Sequence, residues 1–327
     1  MLRVIEANGD HFTCGKVFGT SCAESIAYRI GRELPENSIE TYQNELKEID
    51  SLCRNLYPEH IQELEGIAEG SGADYWKLLL LNTPELMERQ QGCTTIAVSN
   101  EKERYVVHNE DGNADEREED CVLLHYTLPD RSFYAFTYAG ELAGGSYSWN
   151  SDGLYFTVNY LYLKAIHIDF NGRVSRNFIA RKVIEAKSIE DATRLLEHGQ
   201  DVSGYHYYMG QGERLESIEN FQNEVSLKEV KGIDVHANHY LLHEKFVGRA
   251  NGKENSTTRQ HRAEELITNG TPPLEVLTDR ANLPNAICTG LGEGLHTIST
   301  IGFYPKENKV ILYEPKSLKQ EKVYRLG

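Results

Sequence analysis

The stretch "RQQGCTTIAVSN" (Arg89–Asn100) divides this chain into two kinds of sequence. Ahead of it the pattern is helical. In "SIETYQNELKEIDSLCRNLYP" the apolar residues Ile39, Tyr42, Leu46, Ile49, Cys53 and Leu56 recur at steps of three and four until Pro58. "EHIQELEGIAEGSG" and "DYWKLLLLN" add two helices, the first closed by glycine and the second opened by Asp74. Residues 1–20, which contain "EANGDHFTCGKVFG", read as short strands joined at glycine turns. From Gly92 onward alternation takes over. "CTTIAVS", the turn "NEKE" and "RYVVHNE" form one expected hairpin; "CVLLHYTL", "PDR" and "SFYAFTYAG" form a second. "GLYFTVNYLYL" reads as a fifth strand, followed by helices in "RNFIARKVIEAKS" and "SIEDATRLLEHG". Strands around "YHYYMG", "RLESIEN" and "VHANHYL", a helix capped by Ser256, and the closing strands "HTISTIGFYP" and "KVILYEP" complete the pattern. Strands joined mostly by hairpins, with blocks of helix between them, predict antiparallel sheets with helices packed outside.

The 327 residues carry 50 acidic and 34 basic side chains, a net charge of −16, which argues against a nucleic-acid partner because phosphate binding needs a basic footprint. The start, "MLRVIEANGD", has no apolar run of the kind a secretory signal carries. No uncharged stretch approaches the ~18 apolar residues of a membrane helix. Six cysteines are scattered without a C-x-x-C pair, as in a reduced cytoplasmic chain lacking structural zinc or a disulfide framework. The histidines His236, His239 and His243 lack the H-E-x-x-H spacing of a zinc helix, so no metal and no cofactor is expected.

Cys93 stands at the head of an alternating strand, behind a glycine. Free cysteine is commonly core, and that reading applies here too. The other reading is a nucleophile uncovered by cutting the Gly92–Cys93 bond. A new α-amine titrates near 7.7–8, so it can act as base for the thiol of its own residue. Glycine ahead of the thiol leaves the carbonyl unobstructed and tolerates strained backbone. The returning hairpin strand "HNEDGN" brings Asn109 and Asp111 back beside Cys93: a carboxylate there can orient the amine, and an amide can hold a substrate carbonyl. By themselves these residues are also ordinary turn chemistry.

Five elements in order give a resemblance. Gly92-Cys93-Thr94-Thr95, Asn109-Glu110-Asp111, "WNSDGLYFTVN" (Trp149–Asn159), Asn238-His239 and Ser256-x-x-Arg259 resemble the acyl-CoA:aminopenicillanic acid acyltransferase family and, more distantly, the choloylglycine hydrolases. The resemblance implies an α+β, four-layer αββα N-terminal-nucleophile fold with two stacked antiparallel sheets. It implies autocleavage between Gly92 and Cys93, with residues 1–92 as a helical α chain, released or retained, and 93–327 as the catalytic β chain. In the roles it implies, Cys93 is nucleophile, Asp111 orients its amine, Asn238 stabilises the oxyanion, and Arg259 pairs with Asp111 or a substrate carboxylate. The chain departs from the family at Glu110, where an aromatic residue is frequent. That bears on acyl-group preference.

Around this site Asn109, Glu110, Tyr147 and Trp149 are the candidate substrate contacts, with the two aromatics equally readable as strand packing. The acidic run "NEDGNADEREED" (Asn109–Asp120) is either a solvated loop or a rim that steers cationic substrates. The activity expected is a cysteine amidase cleaving a linear amide, such as an N-acyl amino acid, a small peptide or an acylated amine. The alternatives are an acyl-CoA-dependent N-acyltransferase and an unprocessed, non-catalytic member. A small-molecule substrate, two cleaved chains held together and a possible homo-oligomer complete the expectation; no membrane partner is expected.

Overall fold

The computed structural model describes residues 2–87, 92–161, 169–246 and 254–326. Arg89–Gln91 and the last residues of the expected fifth strand lie outside the described residues. Ten helices are described: α1 (His11–Ser21), α2 (Ala23–Glu33), α3 (Ser38–Thr41), α4 (Gln43–Leu56), α5 (Pro58–Ser71), α6 (Tyr75–Leu81), α7 (Arg176–Val183), α8 (Ile189–His198), α9 (Glu254–Thr268) and α10 (Pro273–Val276). The strands are β1 (Arg3–Asn8), β2 (Gly92–Ser99), β3 (Arg104–Gly112), β4 (Cys121–Thr127), β5 (Ser132–Tyr138), β6 (Tyr147–Asn150) and β7 (Tyr155–Tyr160). They continue with β8 (Tyr205–Gln211), β9 (Arg214–Phe221), β10 (Glu224–Glu229), β11 (Gly232–His236), β12 (His296–Tyr304), β13 (Lys309–Tyr313) and β14 (Gln320–Tyr324).

They form an eight-stranded sheet, β1-β4-β5-β6-β7-β8-β9-β10, and a six-stranded sheet, β11-β2-β3-β12-β13-β14. Pairing is antiparallel except between β1 and β4, which run parallel. Strand alternation sorts the side chains into three separate apolar interfaces. Val122 and Leu124 of β4 pack with Phe18, Ile61 and Phe178 of the outer helices, while Leu123 turns the other way. Leu123, Phe136 and Tyr155 of the larger sheet meet Ala97, Val106 and Phe303 of the smaller. On the far face, Ile96 and Val107 meet Ala263 of α9 and Val276 of α10. Helices, sheet, sheet, helices: the four layers follow directly, and the molecule is α+β with an αββα stack.

Residues 2–87 are no appendage to this stack. They supply β1, an edge strand of the larger sheet, and six helices of one outer layer. Among the described residues no helix is long and apolar enough to cross a membrane. All six cysteines are free and buried.

The expectation of glycine turns across residues 11–20 is corrected: this segment is α1, with Asp10 accepting from the Thr13 N–H at its start. Its glycines serve a crossing instead. A Cβ on Gly15 would lie 2.1 Å from the Glu63 carbonyl oxygen, and one on Gly66 of α5 would lie 2.2 Å from the Phe12 carbonyl oxygen. Gly19 and Gly70 repeat the arrangement one turn on, at 2.3 and 2.2 Å. Backbone meets backbone here, so nothing flexible can yield. Gly66→Ala is therefore expected to lower the melting temperature by several degrees, as overpacking typically costs ~1–3 kcal/mol. An unchanged melt would refute the close crossing.

Candidate active site

Cys93 lies near the start of β2, and the register opposite it sets the geometry: Gly92 pairs with Asp111, Cys93 with Glu110, and Thr94 with Asn109. Opposed residues share a face, so β2 and β3 divide the site in two. Cys93, Thr95, His108 and Glu110 face the space between the sheets. Thr94, Asn109 and Asp111 face α9.

On the inter-sheet face, the Cys93 thiol donates to Glu110 Oε2 at 3.5 Å. Glu110 is buried, accepts from Tyr138 Oη at 2.6 Å and from Ser146 Oγ at 2.7 Å, and lies 3.4 Å from His108 Nε2. Burial, then the negative charges of Glu110 and Asp111, push the thiol well above its ordinary range; a Tyr160 backbone hydrogen bond and Arg259 pull against them. At neutral pH Cys93 is therefore held as a protonated thiol.

On the helix face, Arg259 of α9 reaches back under the strand. Its Nη1 donates to the Cys93 carbonyl oxygen and, at 2.8 Å, to Thr94 Oγ1; its Nη2 donates to Asn238 Oδ1. Asn255 Oδ1 accepts from Nε at 2.9 Å and fixes the fork. Asn238, in the loop after β11, accepts the Cys93 backbone N–H at 3.0 Å and donates from Nδ2 to the Tyr160 carbonyl at 2.9 Å. That loop is itself held by Glu219, whose carboxylate accepts the N–H groups of Leu241, Leu242 and His243 and the His236 ring. The thiol, nitrogen and carbonyl of Cys93 thus each have a separate polar partner.

Gly92 is tightly enclosed: a Cβ there would sit 2.5 Å from Leu295 Cδ1, 3.1 Å from Arg259 Nη2 and 3.4 Å from Asp111 Oδ2. Asp111 accepts from Thr297 Oγ1 at 2.7 Å and stands 4.0 Å from Arg259 Nη1. A β-bulge in β12 makes this possible. Thr297 opposes Asp111 and Ser299 opposes Glu110, with Ile298 the extra residue. Two apart on a regular strand, Thr297 and Ser299 would share a face; here Thr297 reaches Asp111 while Ser299 bonds Tyr147 Oη between the sheets.

Burial raises the Asp111 carboxyl to about 7, with Arg259 and Thr297 opposing the rise. Folding then takes up a proton between the ordinary carboxyl value of 3.8 and about 7, so this group's stabilisation is complete at low pH and is lost as pH rises through 7. Asp111→Asn removes the penalty. Its melting temperature relative to wild type is expected to be several degrees more favourable at pH 8 than at pH 4, by calorimetry. A pH-independent difference would show that Asp111 does not titrate in this window.

Several expected site residues are placed differently by the structure. Asn109 faces α9, where its Nδ2 donates to the Leu277 and Ile287 carbonyls and its Oδ1 accepts from Thr300 Oγ1. Its amide is fully engaged on the face away from the thiol, so it braces the strand and has nothing left for a substrate carbonyl. Trp149 lies in the inter-sheet core against Tyr134 and Phe303, its indole N–H on the Arg325 carbonyl. Tyr147 is buried there too, with its ring edge-on to His108 at 6.0 Å. Ser256 lies inside α9 and is no cap; its hydroxyl accepts the Asn238 N–H at 2.7 Å and contacts His239 Nδ1. Two members of the acidic run are paired, with Glu116 buried against Arg32 and Arg29, and Asp120 held by Arg117. Asp115, Glu118 and Glu119 of the run stay exposed.

Among the described residues two groups bring metal-ligating atoms within 4.8 Å of one another: His11, His60 and Glu185, and Cys93, His108 and Glu110. In the first, Arg181 already donates to the same Glu185 oxygen as His11. The second is the thiol's own surroundings. Neither uses His236, His239 or His243.

The four-layer αββα stack is the N-terminal-nucleophile hydrolase fold, and an internal Gly-Cys lies on one of its strands with the thiol, nitrogen and carbonyl of the cysteine separately held. Residues 98–319 match the model of the family described as acyl-coenzyme A:6-aminopenicillanic acid acyl-transferase, and the chain belongs to that family of acyltransferases and amide hydrolases. The match opens at Val98, so Gly92 and Cys93 lie just ahead of it. The chain is 25% identical over 224 residues to β-alanyl-dopamine/carcinine hydrolase of Drosophila melanogaster, covering 59% of this chain and 57% of that protein. It is also 25% identical over 272 residues to the 40 kDa form of acyl-coenzyme A:6-aminopenicillanic-acid-acyltransferase of Emericella nidulans, covering 78% of this chain and 74% of that one. Among solved structures, penicillin V acylase from Agrobacterium tumefaciens is similar at 11% identity and a TM-score of 0.43, over 71% of this chain and 84% of its own. A variant of conjugated bile acid hydrolase from Clostridium perfringens is similar at 11% identity and a TM-score of 0.34, over 74% and 90% of the two chains.

Proposed function

We propose that this protein is a self-processing cysteine amidase. The observation that carries the reading is the separate anchoring of the Cys93 thiol on Glu110 and its nitrogen on Asn238, with Arg259 fixing the strand through the unreactive Cys93 carbonyl. Cutting at Gly92–Cys93 turns the held nitrogen into an α-amine already oriented by Asn238 Oδ1, with Asp111 and Arg259 beneath it. The amine accepts the thiol proton, and sulfur attacks the substrate's amide carbonyl. The tetrahedral oxyanion collapses, the amine of the substrate leaves with a proton, and water hydrolyses the acyl-enzyme. Residues 1–92 stay with the body, because β1 and the helical layer they supply are part of its packed core.

The substrate is a linear amide of a small amine or amino acid. Glu110 is the carboxyl side chain that meets the thiol, and a substrate with a hydrogen-bond-donating amino group on the acyl side complements it. Similarity to the Drosophila enzyme makes β-alanyl amides the first substrates to assay. Similarity to the Emericella enzyme supports a second reading, in which an amine in place of water resolves the acyl-enzyme and an acyl-CoA donor feeds it.

Intact-mass analysis of purified protein, followed by assays with β-alanyl-dopamine, carcinine, N-acyl amino acids and acyl-CoA plus an amine, tests both readings. Two chains meeting at 92/93 and amide hydrolysis are expected. Acyl-CoA turned over faster than every amide would transfer the assignment to the acyltransferase reading; an uncut chain inert to all of them would sink both.

A further inference from the structure

The self-processing reading leaves one step without a base. Until the Gly92–Cys93 bond breaks, the Cys93 nitrogen is an amide, its lone pair delocalised into the carbonyl, and it cannot take the thiol proton. The α-amine that serves the mature site does not yet exist. The thiol is neutral in the uncut chain, so a proton acceptor has to be present within reach. Asp111 opposes Gly92 on the other face of the sheet. Asn238 is an amide, and Arg259 a cation. Glu110 Oε2, at 3.5 Å, is the acceptor on the thiol.

We propose that Glu110 is the general base of self-cleavage, a role distinct from any in substrate turnover; the proposal rests on the self-processing reading above. The thiol proton passes to Glu110 Oε2 as sulfur bonds to the Gly92 carbonyl carbon. The tetrahedral intermediate then collapses, the Gly92 C–N bond breaks, and Glu110 returns the proton to the departing nitrogen. This leaves a Gly92 thioester on Cys93 with a free α-amine. One water hydrolyses the thioester, giving the Gly92 carboxylate and restoring the thiol.

The surroundings of Glu110 are built for an acceptor. Tyr138 and Ser146 both donate to it, which fixes the carboxylate's orientation toward Cys93. His108 completes the arrangement. Asn159 Nδ2 donates to the His236 carbonyl, so its Oδ1 is the acceptor for the single proton of Thr95 Oγ1. Thr95 oxygen must then accept from His108 Nδ1–H at 2.8 Å, which leaves Nε2 as the ring nitrogen facing Glu110 Oε2 at 3.4 Å. His108 Nε2 therefore stands beside Oε2, placed to share a proton that the carboxyl takes from the thiol.

The test follows the cut itself, with no substrate present. Wild type, Glu110→Gln and Glu110→Asp are made by cell-free translation, and conversion to two chains is timed by intact mass from pH 5 to 9. Glu110→Gln is expected to slow self-cleavage ~10²–10⁴-fold, the usual range for a lost general base, and to make it first order in hydroxide. Glu110→Asp should retain an acid limb at a reduced rate. A Glu110→Gln precursor that cuts within a few-fold of wild type, or keeps the wild-type pH profile, overturns the proposal. If Glu110→Gln does not melt cooperatively, Glu110→Asp decides, and a wild-type rate in that variant overturns the proposal. Wild type that never cuts refutes the self-processing reading instead, so the two failures are distinct.

Discussion

Cys93→Ala is expected to leave one uncut polypeptide of about 37.1 kDa and to reduce amide turnover to the uncatalysed background. Both effects have one cause. In the proposed reading sulfur is the attacking atom on both the Gly92 carbonyl and the substrate carbonyl, and no neighbouring side chain replaces it. Glu110 and His108 can move a proton but are held by Tyr138, Ser146 and Thr95 in positions suited to that task. The fold should survive, because alanine fills most of the buried cysteine site; the cavity is that of one sulfur atom, a modest cost. Mass spectrometry and a progress curve with an excess of amide check the prediction. A Cys93→Ala protein that appears as two chains would place the cut, and the nucleophile, elsewhere.

The second large effect is expected at Asn238. Its side chain has two ends with different tasks: Oδ1 holds the Cys93 nitrogen and shares the Arg259 fork, while Nδ2 is on the Tyr160 carbonyl in the uncut chain. Asn238→Ala removes both and should cut kcat by roughly 10²–10³, the usual loss for an oxyanion donor, with self-cleavage slowed as the nitrogen loses its anchor. Asn238→Asp separates the tasks, since it keeps an acceptor for the nitrogen and for Arg259 but loses the Nδ2 donor. If the donor matters in turnover, Asn238→Asp should self-cleave faster than the alanine variant yet share its low kcat. Equal turnover by Asn238→Asp and wild type would assign Asn238 to orienting the amine alone.

Antiparallel sheets with helices outside were legible from period, because both hairpins and the α4 and α8 stripes obey it over enough residues to be read without partners, while the four-layer order came from the family resemblance. Helix α1 was not. Its glycines look like turn residues in one dimension, and only the backbone of α5 passing within contact distance explains them. β14 carries no strong alternation and pairs as an edge strand, so its pattern is weak by construction. Within the site, Cys93, Asp111, Asn238 and Arg259 were readable by kind and order, and the structure brings them together around one strand end. What spacing could not give was the face on which each side chain lies. Asn109 and Glu110 are neighbours in sequence, yet one braces α10 and its following loop while the other meets the thiol. The hairpin turn "NEKE" did contain that signal: pairing Ser99 with Arg104 forces Cys93 opposite Glu110.

Because the two faces of β2 and β3 hold different chemistry, this site has something like a reading frame, with a period of two. Substitutions are errors of spelling that a neighbour can sometimes absorb. An inserted residue is a frameshift. One alanine added between Thr94 and Thr95 would keep the downstream pairing of β2 and move Cys93 opposite Asp111, turning its sulfur toward Arg259 and away from Glu110. The bulge at Ile298 marks the one place where β12 shifts phase, so that Thr297 and Ser299 address opposite sides. Strand length across this hairpin is therefore constrained more severely than residue identity, and variation in this protein is expected as exchanged side chains at fixed count, with additions confined to loops such as Asn100–Glu103.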